Sequence, residues 1–222
     1  MEELLSPPKR VLVGPHALEG DLTLPPQARG LIVFAHGSGS TRRSPRNQQV
    51  AQVLQEHDFG TLLFDLLTPR EAQDRANVLD AVLLGQRMVD TIDWLDRRPA
   101  LAPLPVGLLG ASTGAAAALV AAAARPKRVF AVVSRGGRPD LAAHVLSRVV
   151  APTLLIVGAA DTDVLALNKQ ALQKLRKGAQ LAVVPRATHS FEERGALERV
   201  TELAAQWFTT QLPAVAKGVF HV

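Results

Sequence analysis

The 222-residue sequence predicts an α/β fold: a mostly parallel sheet of eight strands, opened by an antiparallel hairpin, with helices on both faces and no large lid. Three observations carry that prediction. Apolar runs such as Leu31–Ala35 and Thr153–Val157 are too short for helices and have no polar alternation, as expected of strands buried on both faces. Between such runs lie segments with 3.6-residue apolar periodicity. The stretch Val106–Val120 reads as a buried strand, a sharp turn and a helix, with Gly110-Ala111-Ser112-Thr113-Gly114 at the turn.

Taken in order, Lys9–Val13 and Ala17–Leu24 form the expected hairpin around Gly14-Pro15-His16, ended by Pro25-Pro26. Leu31–Ala35 is a strand that runs into His36-Gly37-Ser38-Gly39-Ser40. Thr41–Arg46 is a polar basic loop. Val50, Val53 and Leu54 place a helix over Asn47–His57, stopped by Gly60, and Thr61–Asp65 is the next strand. Leu66–Asn77 is polar and contains Pro69. It emerges at a strand's C-terminal end, where ligands bind in such sheets, and reads as either a short cap or a mobile surface loop. Leu79, Val82, Leu83, Val89, Ile92 and Leu95 mark a helix of about five turns, on which Trp94 packs and which Arg97-Arg98-Pro99 ends.

Beyond the serine turn and its helix come a strand at Val129–Ser134, a short helix at Leu141–Val149 and a strand at Thr153–Val157. Leu165, Leu172 and Leu175 pattern the next helix, with Gly178 as its expected C-terminal cap. Gln180–Val184 is the last buried strand, and Leu197, Val200, Leu203, Ala204, Trp207 and Phe208 mark a final helix. The chain counts as one domain, 1–222, with a loosely held tail over 213–222.

Composition removes several function classes. There is no cysteine, so disulfides, thiolate metal sites and thiol nucleophiles are excluded. The net charge of +5 is carried mostly by arginine, but no block of five basic residues occurs and aromatics make up only 4%, which argues against nucleic acid as a partner. The acidic, proline-broken N-terminus lacks the pattern of a secretory signal, and no apolar run approaches a membrane span. A cytoplasmic protein, monomer or homodimer, acting on a small molecule without membrane contact is the expectation. The glycines after Ala35 fit neither a P-loop nor G-x-G-x-x-G, and the histidines and carboxylates do not fall at metal-ligand spacings, so no cofactor and no metal are expected.

The serine turn is a G-x-S-x-G pentapeptide, the pattern of a nucleophile elbow, in which a strained strand-to-helix turn lifts the hydroxyl above the sheet. A serine hydroxyl needs a base to take its proton and a carboxylate to orient that base. Ser112, Asp161 and His189 stand in the chain order such a sheet requires, each just past a strand's C-terminal end. Asp163 competes with Asp161 for the acid and for the cap of the following helix; Asp161 is assigned to the triad and Asp163 to the cap. His16, His36, His57, His144 and His221 are less suitably placed. The glycine-rich loop after Ala35 allows backbone N–H groups to point inward. Ser38 and Thr113 are therefore the candidate oxyanion donors.

The segments HGSGS (36–40), LLFDLLT (62–68), GASTGAAAAL (110–119), VVSRGGRPDLA (132–142), TLLIVGAADTDV (153–164) and ATHSFEE (187–193) resemble the α/β-hydrolase fold and, more narrowly, its dienelactone hydrolase-like branch. The resemblance runs from about Val11 to Leu212. It implies Ser112 as nucleophile, Asp161 as acid, His189 as base, and an oxyanion hole from Thr113 and the Ser38 region. Dienelactone hydrolases carry a cysteine nucleophile, which this chain lacks, whereas small serine members resemble carboxylesterases of short acyl esters. A serine carboxylesterase is thus the expected activity. A thioesterase or lactonase using the same triad and a non-catalytic binding module keeping the fold are the alternatives. Arg42, Arg43, Arg135 and Arg138 would favour an acidic substrate if they line the pocket; otherwise they serve the protein's own backbone or solvent.

Overall fold

The apolar runs of the sequence become one eight-stranded sheet in the computed structural model, which describes residues 7–213. The strands are β1 (Lys9–Val13), β2 (Leu18–Thr23), β3 (Gly30–Ala35), β4 (Phe59–Phe64), β5 (Val106–Ala111), β6 (Val129–Arg135), β7 (Thr153–Gly158) and β8 (Gln180–Val184). Their spatial order is β1-β2-β4-β3-β5-β6-β7-β8, with β1–β2 and β2–β4 antiparallel and the rest parallel. The expected tail over 213–222 lies, apart from Pro213, outside the described residues.

The helices are α1 (Pro45–Glu56), α2 (Arg75–Leu79), α3 (Ala81–Asp96), α4 (Thr113–Ala124), α5 (Thr162–Lys174) and α6 (Ala196–Gln211). One face of the sheet packs against α3 and α4 through Leu84, Met88, Ile92 and the alanines of α4. The other face packs against α1 and α6 through Val50, Leu54, Val200 and Phe208. Strands β3 to β7 are therefore buried on both faces, which is why their sequences lack alternation.

Four expectations are corrected. Strand β8 is the sheet edge and is only partly covered rather than buried, with Gln180 and Val183 open to solvent and only Val184 buried. The helix expected from Leu79 begins at Ala81: Asp80 accepts hydrogen bonds from the N–H groups of Val82 and Leu83 and so resets the chain, leaving Leu79 at the end of α2. Leu141–Val149 forms two 3₁₀ turns, Pro139–Ala142 and Leu146–Arg148, instead of a helix. Nine residues are marginal for a cooperative α-helix, and i→i+3 bonds still bury Ala142, Val145, Leu146 and Val149. Gly178 does not cap α5, which ends at Lys174 with Leu175 as its cap; Gly178 takes its positive φ of 109° in the turn beyond.

The segment after β4 is tied down at Glu71. Its carboxylate accepts from the Thr68 N–H and hydroxyl and pairs with buried Arg87 of α3, while its carbonyl accepts from Asn77 Nδ2. Those Thr68 bonds, together with Arg87 and against a smaller cost of burial, hold the Glu71 carboxyl below its usual pKa.

Candidate active site

Every parallel strand from β3 to β8, β4 included, delivers its C-terminal loop to the same end of the sheet. At the centre, β5 turns into α4 through Ser112, whose φ of 51° and ψ of −120° are strained for a residue with a side chain. The turn survives because its neighbours leave no alternative. A Cβ on Gly110 would stand 2.4 Å from Ala115 Cα, and one on Gly114 would stand 2.2 Å from the Ala35 carbonyl oxygen. The Ser112 N–H donates to the Arg135 carbonyl and its own carbonyl accepts from Arg138 N–H, which bolts the elbow to β6. Ala115 to Ala118 are fully buried, so α4 lies close against the sheet.

Asp161 follows β7 and His189 follows β8. The two loops are stitched by backbone bonds from Ala159 N–H to the Val184 carbonyl and from Ala160 N–H to the Ala187 carbonyl. This brings His189 Nδ1 to 2.7 Å from Asp161 Oδ2. A carboxylate only accepts, so Nδ1 carries the proton and Nε2 is left with its lone pair. Asp161 occupies the N-cap position of α5 but makes no capping bond, because its side chain is turned to His189. Asp163, expected as the cap, sits within the first turn instead and does not cap it. Ser112 and His189 line one cleft, with no hydrogen bond between them among the described residues.

Ser38 and Thr113 meet at the mouth of the elbow. The Thr113 N–H belongs to the first turn of α4, where no intrahelical acceptor exists. The Ser38 N–H donates to Thr113 Oγ1 at 2.9 Å, so this donor is engaged by the threonine side chain rather than open. Two spaces adjoin here. An apolar cavity of about 580 Å³ is walled by Leu18, Leu67, Val78 and Leu84 and reaches Ser38 and Thr113. A polar cleft of about 290 Å³ holds Ser112, His189 and Arg135. Of the segment 66–77, Leu66, Leu67, Thr68, Pro69 and Ala72 line this cavity, as a short cap would, and Val78 just beyond it completes that wall.

His36 holds that corner. Its Nε2 accepts from Leu66 N–H at 3.1 Å, so Nδ1 donates to the Gly37 carbonyl at 3.0 Å. Burial pushes its pKa below the ordinary histidine value, against the opposing pull of that carbonyl and of Asp65.

The four arginines separate. Arg42 is buried and paired with Glu19, Asp21 and Asp65. Arg138 pairs with Asp140, and Arg43 is exposed. Arg135 alone lines the cleft beside Ser112. Asn47, buried in the first turn of α1, was not singled out by the sequence; its Oδ1 accepts from Arg135 Nη2 at 3.0 Å. Arg135, one of the four arginines the sequence singled out, stands at the end of β6, in register with Ala111, one residue before the serine. Among the described residues no group of three or more His, Asp or Glu side chains converges to hold a metal, and no helix is long and apolar enough to cross a membrane.

This strand order, with its serine elbow between β5 and α4, defines an α/β-hydrolase of the dienelactone hydrolase-like type. Residues 28–212 match the family described as an alpha/beta hydrolase domain, and the chain belongs to that family. It is 51% identical to a dienelactone hydrolase from Anabaena variabilis, covering 93% of this chain and 100% of that one, with a TM-score of 0.88. It is 57% identical over 203 residues to a Mycobacterium tuberculosis (strain H37Rv) protein that bears the provisional name phosphoribosyl transferase; the match covers 91% of this chain and 46% of that protein. The chain thus spans about half the length of the curated relatives it matches. Est1E from Butyrivibrio proteoclasticus shares the fold at 15% identity, with a TM-score of 0.79 over 94% of this chain and 100% of that one.

Proposed function

We propose that the protein is a serine carboxylesterase of short-chain esters, working through an acyl-enzyme. The observation that carries the reading is the 2.7 Å bond between His189 and Asp161 in a cleft shared with a serine at φ 51°. Asp161 keeps the proton on Nδ1, so Nε2 is the basic atom. Ser112 Oγ bonds to the acyl carbon as its proton passes to His189 Nε2, and the carbonyl electrons move onto oxygen. Thr113 N–H holds that oxyanion, and Ser38 N–H joins it by sharing or releasing Thr113 Oγ1. The tetrahedral centre collapses, the alcohol leaves with the proton from His189, and water repeats the sequence to free the acid. The apolar cavity beyond Ser38 and Thr113 is of a size to take one apolar half of the ester.

The test is hydrolysis of p-nitrophenyl acetate, butyrate and octanoate by the native protein and by Ser112→Ala. Turnover that falls toward octanoate and drops by roughly 10⁴-fold or more in the variant is the expected result. Equal turnover in both proteins, or none in either, overturns the reading.

A further inference from the structure

A buried hydroxyl ordinarily sends its hydrogen to a nearby acceptor. Three other buried threonines do so: Thr91 donates to the Arg87 carbonyl at 2.8 Å, Thr153 to that of Ala151 at 3.0 Å and Thr201 to that of Leu197 at 2.7 Å. Thr113 is buried as well, and its Oγ1 accepts from Ser38 N–H at 2.9 Å, but no acceptor for its own hydrogen stands among the described residues. The usual outlet, the carbonyl four residues back, is not open to it. Thr113 is the first residue of α4, so that carbonyl belongs to Leu109 within β5 rather than to a helical turn.

The unspent hydrogen sits where negative charge would gather. The N–H groups of Ser38 and Thr113 are the two backbone donors of the proposed oxyanion hole. Thr113 Oγ1 is bonded to the first and shares a residue with the second. An oxygen that accepts from both backbone groups therefore lies beside Oγ1, within reach of a hydroxyl that turns freely about its C–O bond. By accepting from Ser38, Oγ1 becomes the stronger donor, because successive hydrogen bonds polarise one another. The positive end of the 12-residue helix α4 acts in the same sense. The spacing is fixed by close backbone approach. A Cβ on Gly37 would stand 3.1 Å from the Ala111 carbonyl oxygen, and one on Gly114 would stand 2.5 Å from the His36 carbonyl oxygen, so the loop after β3 is pressed against the elbow.

We infer that the Thr113 hydroxyl is a third oxyanion donor: it and the Thr113 N–H grip the same oxygen, and Ser38 N–H backs the hydroxyl by staying on Oγ1. This rests on the esterase reading and gives Ser38 its part through sharing, without release. The hydroxyl keeps its proton throughout. It donates a hydrogen bond to the oxygen that becomes negative when Ser112 Oγ bonds to the acyl carbon, and the bond weakens when the carbonyl reforms. An uncharged ester carbonyl gains less from it, so the contribution falls on kcat rather than KM. The rival role is a plug, in which Oγ1 fills the hole and has to leave Ser38 before turnover. The two roles predict opposite signs.

The experiment compares native protein with Thr113→Val, Thr113→Ala and Thr113→Ser at matched circular dichroism. The readouts are kcat and KM for p-nitrophenyl butyrate and inhibition by butylboronic acid, which forms a tetrahedral adduct on the serine. Both variants without the hydroxyl are expected to lose roughly 100-fold in kcat with KM within about twofold of native, and to bind the boronic acid correspondingly less tightly. Thr113→Ser, which restores the hydroxyl, is expected to recover most of that loss. Thr113→Ala carries the test if Thr113→Val does not fold. A kcat that holds or rises without the hydroxyl makes it a bystander or a plug and overturns the inference. So does a loss that is as large in Thr113→Ser, or one that falls on KM alone, since packing would explain either. Failure of the esterase reading is seen separately, in native protein that hydrolyses p-nitrophenyl butyrate no faster than Ser112→Ala.

Discussion

Arg42 and Arg135 are buried to nearly the same degree, at 6% and 8% exposure, and each lines one of the two spaces that adjoin the loop carrying Ser38. Their surroundings differ completely. Arg42 reaches Glu19 and Asp21 on β2 and Asp65 just past β4, and its backbone N–H donates to Asp65 as well. Burial opposes its charge, but Asp65, then Glu19 and Asp21, hold its pKa above the ordinary arginine value. Arg135 has one amide oxygen and a pKa pushed down. Burial alone therefore says little about what a buried cation does. The partner's charge decides: Arg42 is a clamp that fixes the loop after β3 to the hairpin, and Arg135 is left with charge to offer.

The largest effect should come from breaking the clamp. Arg42→Met leaves Asp65 and Asp21 facing each other without a counter-ion and is expected to cost roughly 3–5 kcal/mol in urea unfolding. A loss below about 1 kcal/mol would mean that solvent already screens the cluster.

The second test titrates the other arginine. The folded value of about 10 lies well below that of the free arginine side chain, so the charged form costs stability at neutral pH. Between those values the folded protein has released the proton while the unfolded chain still binds it, and the Arg135 contribution to stability rises with pH. Urea midpoints of the native protein at about pH 8 and 10.5 should therefore move upward with pH relative to those of Arg135→Met. The same pH dependence in both proteins would mean that Arg135 does not contribute to it.

Arg135→Met sharpens the contrast in stability. It removes a buried charge that breaks no ion pair, so urea unfolding should stay within about 1 kcal/mol of the native protein. A loss as large as that of Arg42→Met would make Arg135 a structural clamp too. The smallest effect is expected at His36, whose pKa is lowered by burial. Below its ordinary value of 6.5 the unfolded chain takes up the proton before the folded one, so this contribution is present above 6.5 and is lost as pH falls through the folded value. Urea midpoints measured at about pH 7.5 and 5.5 should show this as up to about 1 kcal/mol, a dependence that His36→Gln flattens.

Read alone, the sequence determined the alternation of strands and helices, the serine elbow, and the loops on which Ser112, Asp161 and His189 stand. These are local properties. A strand buried on both faces must be apolar throughout, and the glycines around Ser112 are demanded because a Cβ on Gly114 or Gly110 would collide with the backbone of Ala35 or Ala115. Where a segment was short or at an edge, local pattern misled: Leu141–Val149 satisfies the same burial with 3₁₀ turns, and β8 stays only partly covered at the end of the sheet, where no strand lies beyond it.

Only the tertiary structure decided which partner each polar group found. Asp161 rather than Asp163 turned to a histidine 28 residues away because the β7 and β8 loops are stitched together. Arg42 met three carboxylates from β2 and the end of β4, and Arg135 met one amide, although the two arginines look alike along the chain. The physical reason is range. Hydrophobic period and turn chemistry act over a few residues, whereas the field at a buried charge is set by strand register and by loops brought together from opposite ends of the sequence.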